Sequence, residues 1–227
     1  NNRRPIFSTA YERLIWPIRG DFPSAISVMP EPRKNTGTAQ PLFNPEIGEW
    51  HPIASQSITE PKVSALEASL SNLDSWDRQW ERFHMEHADP DYDECEFVTY
   101  GELENDERPF AQEPEREDGT WSWDEDSDTE ILVRCCDEDR PLGKQGLTLE
   151  VRPSPGNDFV TVKDYVGAVH PWLMSMQDDI LAAMRVSEPV YTNIEWRLSN
   201  SRADGPRHTV ISPEDWESMN QPIQLTW

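Results

Sequence analysis

Acidic residues at alternating positions are the side chains whose type and spacing first suggest chemistry. They lie in the stretches DEDSDTE and DPDYDE, at Asp124, Asp126, Asp128 and Glu130 and at Asp89, Asp91 and Asp93. Carboxylates spaced in this way can bind calcium, but an EF-hand loop also needs Gly at position six and a bidentate acid at position twelve. The first stretch has Thr129 and Cys135 there, and the second has Glu94 and Tyr100. We therefore interpret both stretches as solvated acidic loops.

Histidines and cysteines offer two further metal patterns. Glu81, His84 and His87 follow an E-x-x-H step on a predicted helix, but a metal site in a helical bundle needs a second copy of that step, and we find none. A polar rim on the helix is the preferred interpretation. Cys135 and Cys136 are adjacent on a predicted strand, where successive side chains point to opposite faces and do not easily bind one ion. We predict a buried, unreactive Cys135, an exposed Cys136, and neither a metal nor a cofactor.

His170, His208 and Asp164 are the candidate catalytic residues. His170 precedes Pro171 at a helix junction and could act as a general base, oriented by Asp164 or Asp178. A histidine that caps or packs the junction is the competing interpretation. The sequence has no GxSxG motif and no Cys/His nucleophile signature, so catalysis is the alternative rather than the main hypothesis.

The charge of the chain indicates what it binds. Residues 86–139 hold 22 of the 43 acidic residues and only three Arg, and the net charge is −23. A surface of this sign disfavours nucleic acid and anionic membranes and favours a basic protein partner. The aromatic side chains within the tract suggest that it is pinned rather than a purely solvating tail. The predicted partner-binding residues are Trp121, Trp123, Asp124, Asp126, Asp128 and Glu130.

The segment DEDSDTEILV, in the same tract, suggests a second binding mode. Acids directly before a short aliphatic strand can add that strand to the edge of a partner's sheet, with the acids facing a basic rim. The competing interpretation is that Ile131 and Val133 belong to this protein's own sheet, because the strand pattern LTLEV comes next at hairpin distance.

Cysteine usage and hydropathy bear on location. Three Cys, an odd and sparse number, and the lack of an Asn-x-Ser/Thr sequon favour a reducing, intracellular compartment, cytoplasmic or nuclear. No run of roughly 18 apolar residues is present, so we expect no membrane span.

The elements that would position these residues predict an α+β fold. Strands are expected near 130–136, 147–152, 190–198 and 208–211, in one antiparallel sheet packed by helices near 62–87, 162–170 and 172–186. The first two strands are expected to form a hairpin. Residues 1–57 are Pro-rich and are predicted to form an extended arm that wraps the core. Residues 58–227 are predicted to form a single domain with an acidic insertion at about 86–129.

Local signals define the helices more closely. Apolar residues at steps of three and four predict one helix face over 62–87, although a cap near Ser71 would divide it into two helices and a strand at 62–66 is an alternative. Thr161 and Asp164 form a predicted capping box. Pro171 is expected to interrupt the helix that begins there and to start another. Ser212 is expected to cap a short C-terminal helix.

The strand LTLEV, the segment FVTVKDYVGAVHPWL and a later strand with Trp196 resemble an uncharacterised family of small fungal domains of unknown function. In that family a strand leads into a VTV-x-D-V helix start and then a Trp-bearing segment. Val160, Thr161, Val162, Asp164 and Trp196 occupy those places here. The likeness covers residues 147–200 and, more loosely, 57–70, and the acidic insertion departs from it. The resemblance implies a fungal protein with a small α+β domain and no activity that can be transferred.

Three functions therefore remain open. The first is a non-catalytic interaction protein whose acidic region, 86–139, binds a basic surface. The second is an enzyme of unknown class with a site near His170 and His208. The third is a structural subunit whose Pro-rich arm buries Trp16 and Trp50 against another chain.

Overall fold

Helices and strands are interleaved along the chain, so the predicted α+β class is confirmed. The computed structural model describes residues 4–33, 37–86, 88, 94–104, 107, 116–120, 127–186, 195–202 and 205–221. The strands are β1 (Ile6–Phe7), β2 (Leu14–Ile15), β3 (Ser27–Val28), β4 (Gln40–Pro41), β5 (Phe43–Asn44), β6 (Glu49–Trp50), β7 (Thr59–Glu60), β8 (Leu66–Leu70), β9 (Cys95–Thr99), β10 (Glu130–Cys135), β11 (Glu138–Asp139), β12 (Thr148–Val151), β13 (Arg197–Leu198), β14 (Arg207–His208) and β15 (Val210–Ile211). The helices are α1 (Ser71–His84), α2 (Val162–Ser175), α3 (Gln177–Arg185) and α4 (Pro213–Met219), with 3-10 turns at Tyr11–Arg13, Pro52–Ser55 and Tyr100–Glu102. Within the described part of the chain, no helix has the length and apolar character needed to cross a membrane.

The chain divides into two compact units. The first unit comprises Asn1–Asn72, Thr148–Leu181 and Val190–Trp227, and the second comprises Leu73–Leu147 and Ala182–Pro189. The chain passes from one unit to the other inside α1, just before β12 and inside α3. The second unit contains the whole acidic region, residues 86–139.

The first unit is built from several small sheets. β8 lies between β12, which pairs with it antiparallel, and β14, which pairs with it in parallel. The other pairings of this unit are antiparallel. They join β1 with β7, β2 with β3, β3 with β4, β5 with β6 and β13 with β15. The predicted single antiparallel sheet is therefore wrong in detail, although antiparallel pairing dominates.

The proline-rich N-terminal segment supplies buried aromatic residues to the first unit. Phe7, Tyr11 and Trp16 are each no more than 2% exposed. The rings of Phe7 and Tyr11 stack with centroids 3.7 Å apart. Trp50 is only half-buried, and its ring lies 5.1 Å from that of Phe43.

The predicted helix over 62–87 is wrong in its first part. Residues 66–70 form β8, and the helix begins at Ser71, where the alternative cap was placed. Leu66, Ala68 and Leu70 are buried while Glu67 is exposed, which is the two-residue period of a strand. Pairing with a strand on each side outweighs the helical spacing of the same leucines.

Pro171 does not interrupt its helix. α2 continues through it to Ser175, and the break falls at Met176. An internal proline costs a helix about 3 kcal/mol. Val166, Val169 and Leu173 are completely buried on one face of α2, and this packing offsets that cost.

The predicted hairpin between 130–136 and 147–152 is not formed. β10 instead turns directly into β11 through Cys136 and Asp137, and its other neighbour is β9. β12 pairs with β8 in the first unit. Of the other two predicted strands, 190–194 lies outside the described residues and only β13 is observed, while 208–211 is divided into β14 and β15.

A small core holds the second unit together. Trp80, Leu132 and Cys135 are buried, and Trp76 and Phe97 pack against them. Beside this core Arg140, whose side chain is 8% exposed, donates from Nε to Asp77 at 2.6 Å and lies 3.0 Å from Glu81. This ion pair joins α1 to the segment directly after β11.

Candidate functional site

His208, a candidate catalytic residue, is the centre of a buried hydrogen-bond chain in the first unit. Tyr11 donates its hydroxyl proton to the carbonyl of Ser199 at 2.8 Å, so its oxygen accepts from Nδ1 of His208 at 3.1 Å. Nε2 of His208 then accepts from the hydroxyl of Tyr165 at 2.8 Å. Burial lowers the pKa of His208 to about 3. The ring is therefore neutral and has both nitrogens engaged.

His170 is held in the same manner. The indole N–H of Trp16 can only donate, so Nδ1 of His170 accepts it at 3.0 Å. Nε2 of His170 then donates to the carbonyl of Gly20 at 2.9 Å. The residue is 1% exposed. This geometry gives His170 the packing role that was the competing interpretation, because it ties α2 to the N-terminal segment.

Asp164 completes a helix cap. Its carboxylate accepts from the backbone N–H of Thr161 at 3.0 Å and from the Thr161 hydroxyl at 2.7 Å, and Ser154 also donates to it. Thr161 accepts in return from the N–H of Asp164, so the predicted capping box is confirmed. Burial would raise the pKa of Asp164, but the hydrogen bonds from Ser154 and Thr161 hold it below its ordinary value.

An open cleft of about 370 Å³ lies beside this cap. Its lining includes Trp50, His51, Lys163 and Asp164, and neither His170 nor His208 is among its lining residues. Nζ of Lys163 lies 4.7 Å from the centre of the Trp50 ring. The structure therefore does not bring the three candidate catalytic residues together: two are buried in the core, and the third caps α2 at the wall of a cleft.

The acidic region of the second unit is solvated wherever the structure describes it. All its described acids are exposed: Glu86, Glu94, Glu96, Glu102, Glu104, Glu107, Glu117, Asp118, Asp128, Glu130, Asp137, Glu138 and Asp139. Asp128 and Glu130 are two of the predicted partner-binding residues. The other four, Trp121, Trp123, Asp124 and Asp126, lie outside the described residues, as do His87 and the predicted acidic loop at 89–93.

The strand directly after these acids is already paired within this protein. β10 is the central strand of the order β11-β10-β9, and Ile131 pairs with Val98. β9 pairs with β10 from Glu130 to Cys135, whereas β11 pairs only with Arg134 and Cys135, so one side of β10 is occupied along its whole length by this protein's own sheet. The competing interpretation, in which Ile131 and Val133 belong to this protein's own sheet, is confirmed.

A second cluster, which the sequence patterns did not reveal, brings every cysteine of the chain together with a histidine. The ligand atoms of His84, Cys135 and Cys136 all lie within 4.8 Å of one another. The sulfur of Cys135 is 3.7 Å from that of Cys136 and 3.5 Å from that of Cys95. We call these four residues the thiol–imidazole cluster.

The backbone explains why the thiol–imidazole cluster forms. Cys136 and Asp137 are a two-residue hairpin turn with φ of 53° and 61°, which is the conformation of a type I′ turn. Cys136 has therefore left the strand, and the rule that neighbouring side chains point apart does not apply to it. Cys95 is the direct partner of Cys135 across β9 and β10.

His84 is not the polar rim that the helix pattern predicts. It is 1% exposed, its ring centroid lies 4.2 Å from that of Trp80, and Nε2 is 3.5 Å from the carboxylate of Glu138. Glu81, one turn earlier, pairs with Arg140 instead. The signal that could have revealed the cluster is the pairing of the EFVT strand after Cys95 with the EILVR strand before Cys135.

Without an ion the thiol of Cys135 is protonated at neutral pH. Burial, together with the neighbouring thiols of Cys95 and Cys136, raises the pKa of Cys135 to about 12. A thiol with this pKa is a poor nucleophile at neutral pH, in agreement with the prediction of an unreactive Cys135.

Comparison with known proteins identifies no relative: no family model, no curated protein and no solved structure matches the chain. The resemblance to a fungal domain family therefore remains a prediction.

Proposed function

We propose that the protein is a non-catalytic interaction protein that binds a basic protein partner through its acidic region, residues 86–139. The observation that carries the proposal is the exposure of every described acid in that region, where Arg116 and Arg134 are the only described basic residues. With 22 acids against three Arg in the region, the carboxylates are in large excess and repel one another. A basic surface that approaches them relieves that repulsion and is steered toward them.

The tip of the β10–β11 hairpin illustrates this excess of charge. The side chains of Asp137 and Asp139 are 95% and 86% exposed. Arg134 approaches them only at 3.6 and 3.7 Å from a half-exposed position. Exposed pairs of this kind contribute roughly 0–1 kcal/mol, so these acids remain available to a partner.

The alternative functions have less support. An enzyme centred on His170 and His208 would need one of these rings to reach a substrate, and both are buried with their ring nitrogens engaged. A structural subunit that uses Trp16 and Trp50 would need both indoles to be uncovered. Trp16 is 1% exposed within the first unit, whereas Trp50 is half-buried and remains accessible to another chain.

Charge reversal with a matched control tests the interaction. One variant carries Asp124→Lys, Asp126→Lys and Asp128→Lys. The control carries Glu46→Lys, Glu49→Lys and Asp158→Lys, three exposed acids of the first unit, and its net charge changes equally. Each protein is immobilised, incubated with native extract at about 0.1 M and about 1 M salt, where the Debye length is about 10 and about 3 Å, and analysed by mass spectrometry.

We expect the unmodified chain to capture a basic protein at the lower salt and to release it at the higher. The acidic-region variant loses that capture and the control variant keeps it. Equal capture by the two variants, or no basic protein at either salt, contradicts the proposal.

A further inference from the structure

We propose that the thiol–imidazole cluster is a zinc site of the second unit, with Cys135, Cys136 and His84 as ligands and Cys95 as the fourth. Zinc in structural sites takes four ligands, and Cys₃His is one of its common sets. The inference is independent of the acidic-region proposal, because it concerns what holds the second unit together and not what that unit binds.

The sulfur spacing suits a tetrahedral ion. Zinc–sulfur bonds of about 2.3 Å place two thiolates about 3.8 Å apart around the metal. The sulfurs of Cys135 and Cys136 are 3.7 Å apart, and those of Cys135 and Cys95 are 3.5 Å apart. Cys95 lies outside the trio whose donor atoms are mutually within 4.8 Å, so we expect its side chain to change rotamer when the ion binds.

The donor set selects the metal. Thiolates with an imidazole favour zinc over calcium and magnesium, which take oxygen ligands. The carboxylate of Glu138 lies 3.5 Å from Nε2 of His84, where a carboxylate commonly supports a metal-bound histidine. Binding of zinc through Nδ1 of His84 would leave Nε2 facing Glu138, whose carboxylate would then orient the imidazole.

A metal here would link three parts of the second unit. His84 is the last residue of α1, Cys95 begins β9, and Cys135 and Cys136 lie at the turn from β10 to β11. Cys95 and Cys135 are 40 residues apart, so the ion would close a long segment that includes much of the acidic region. Closure of a long loop and a coordinated ion both stabilise a unit whose own apolar core is small.

A disulfide between Cys95 and Cys135 is the competing use of the same thiols. An oxidant such as dissolved oxygen would form it by taking two electrons and two protons, so the oxidised chain is two hydrogen atoms lighter, has lost two ligands and takes up no metal. Reduced and oxidised protein can be separated by intact mass before any titration.

The test is metal binding by the full chain. Protein purified under reducing conditions is assayed for bound zinc by elemental mass spectrometry, stripped with a chelator, and titrated with Co²⁺ and then Zn²⁺. We expect one Co²⁺ per chain, the visible bands of tetrahedral cobalt, a thiolate-to-cobalt charge-transfer band, and loss of all these signals when zinc displaces the cobalt.

Three variants make the assignment specific. Cys136→Ser changes an exposed residue and should preserve the fold, which circular dichroism verifies before titration. We expect it and His84→Gln to weaken zinc binding by about 100-fold or more, at least as much as the loss of an outer-shell partner does. His51→Gln, which removes a histidine of the first unit, should leave binding unchanged. Any of three results would overturn the proposal. Cobalt could bind without the charge-transfer band, Cys136→Ser could leave zinc binding intact, or the reduced chain could take up no metal.

Discussion

Replacement of His208 by Gln tests whether the buried histidine destabilises the folded protein at acid pH. The pKa of His208 is about 3 in the folded protein, because burial disfavours the charged ring, against an ordinary value of 6.5. The unfolded chain therefore takes up a proton at a pH where the folded chain does not. Stability must fall as the pH drops from 6.5 toward 3, and it must rise with pH across that window.

The size of this effect is set by the two pKa values. Each unit by which the pH falls below 6.5 costs about 1.4 kcal/mol of unfolding free energy until the folded pKa is approached. The loss attributable to His208 is therefore about 2 kcal/mol at pH 5 and about 3 kcal/mol at pH 4. His208→Gln removes this titration, although the lost hydrogen bonds cost it about 1–3 kcal/mol at pH 7.

Urea unfolding, followed by near-ultraviolet circular dichroism at pH 7 and pH 5, measures the difference. We expect the stability gap between the natural chain and His208→Gln to shift by about 2 kcal/mol in favour of the variant. Exposed carboxylates titrate in both proteins and cancel in that difference. His51→Gln is the control. Burial and then the charge of Arg13 also lower the pKa of His51, but this residue is only half-buried. The difference in unfolding free energy between the natural chain and His51→Gln should therefore change less between pH 7 and pH 5.

A gap that stays constant between pH 7 and 5 would refute the reasoning. If His208→Gln does not fold, nuclear magnetic resonance of the natural chain gives the same answer. The ring signals of His208 should not move between pH 7 and pH 5, and a titration near 6.5 would show that the ring is solvated.

Two further stability measurements address the two units separately. Thr161→Ala removes the hydroxyl that exchanges hydrogen bonds with Asp164. We expect the free energy of unfolding of the first unit to fall by about 1 kcal/mol, seen as a lower urea midpoint. An unchanged midpoint would show that the cap contributes nothing to stability. Asp77→Asn leaves Arg140 buried beside a neutral partner. We expect the free energy of unfolding of the second unit to fall on the order of 3 kcal/mol, measured by thermal unfolding. A loss below about 1 kcal/mol would mean that Glu81 alone is a sufficient partner for the guanidinium.

Local signals in the sequence predicted local structure well. The caps at Thr161 and Ser212 form as expected, because a cap depends on a side chain and a backbone N–H only a few residues away. The apolar face of α2 is also where the periodicity placed it. Each of these features is decided within one or two turns of the chain.

Features decided by distant residues were not predictable in the same way. The leucines of residues 66–70 share the helical spacing of the apolar residues in α1, yet this segment forms a strand. It does so because β12 and β14, which are distant in sequence, pair with it. Pro171 would end an isolated helix, but the burial of the α2 face keeps it helical. His170 and His208 resemble catalytic candidates in the sequence, and only their partners from the N-terminal segment identify them as core residues.

The thiol–imidazole cluster was missed for a more specific reason, which also bears on the proposal that it binds zinc. The alternation rule holds while the chain is extended, but Cys136 sits in a turn with φ of 53°. Turns of this type favour Asn, Asp and Gly, and a cysteine held at positive φ costs roughly 1–3 kcal/mol. Exposure to solvent does not require a cysteine at position 136, and Asn would adopt the same φ with less strain. A metal bound by the Cys136 thiolate would offset the strain of keeping cysteine there. A Cys136→Asn variant should therefore form a more stable hairpin than the metal-free natural chain and a less stable one than the zinc-bound chain.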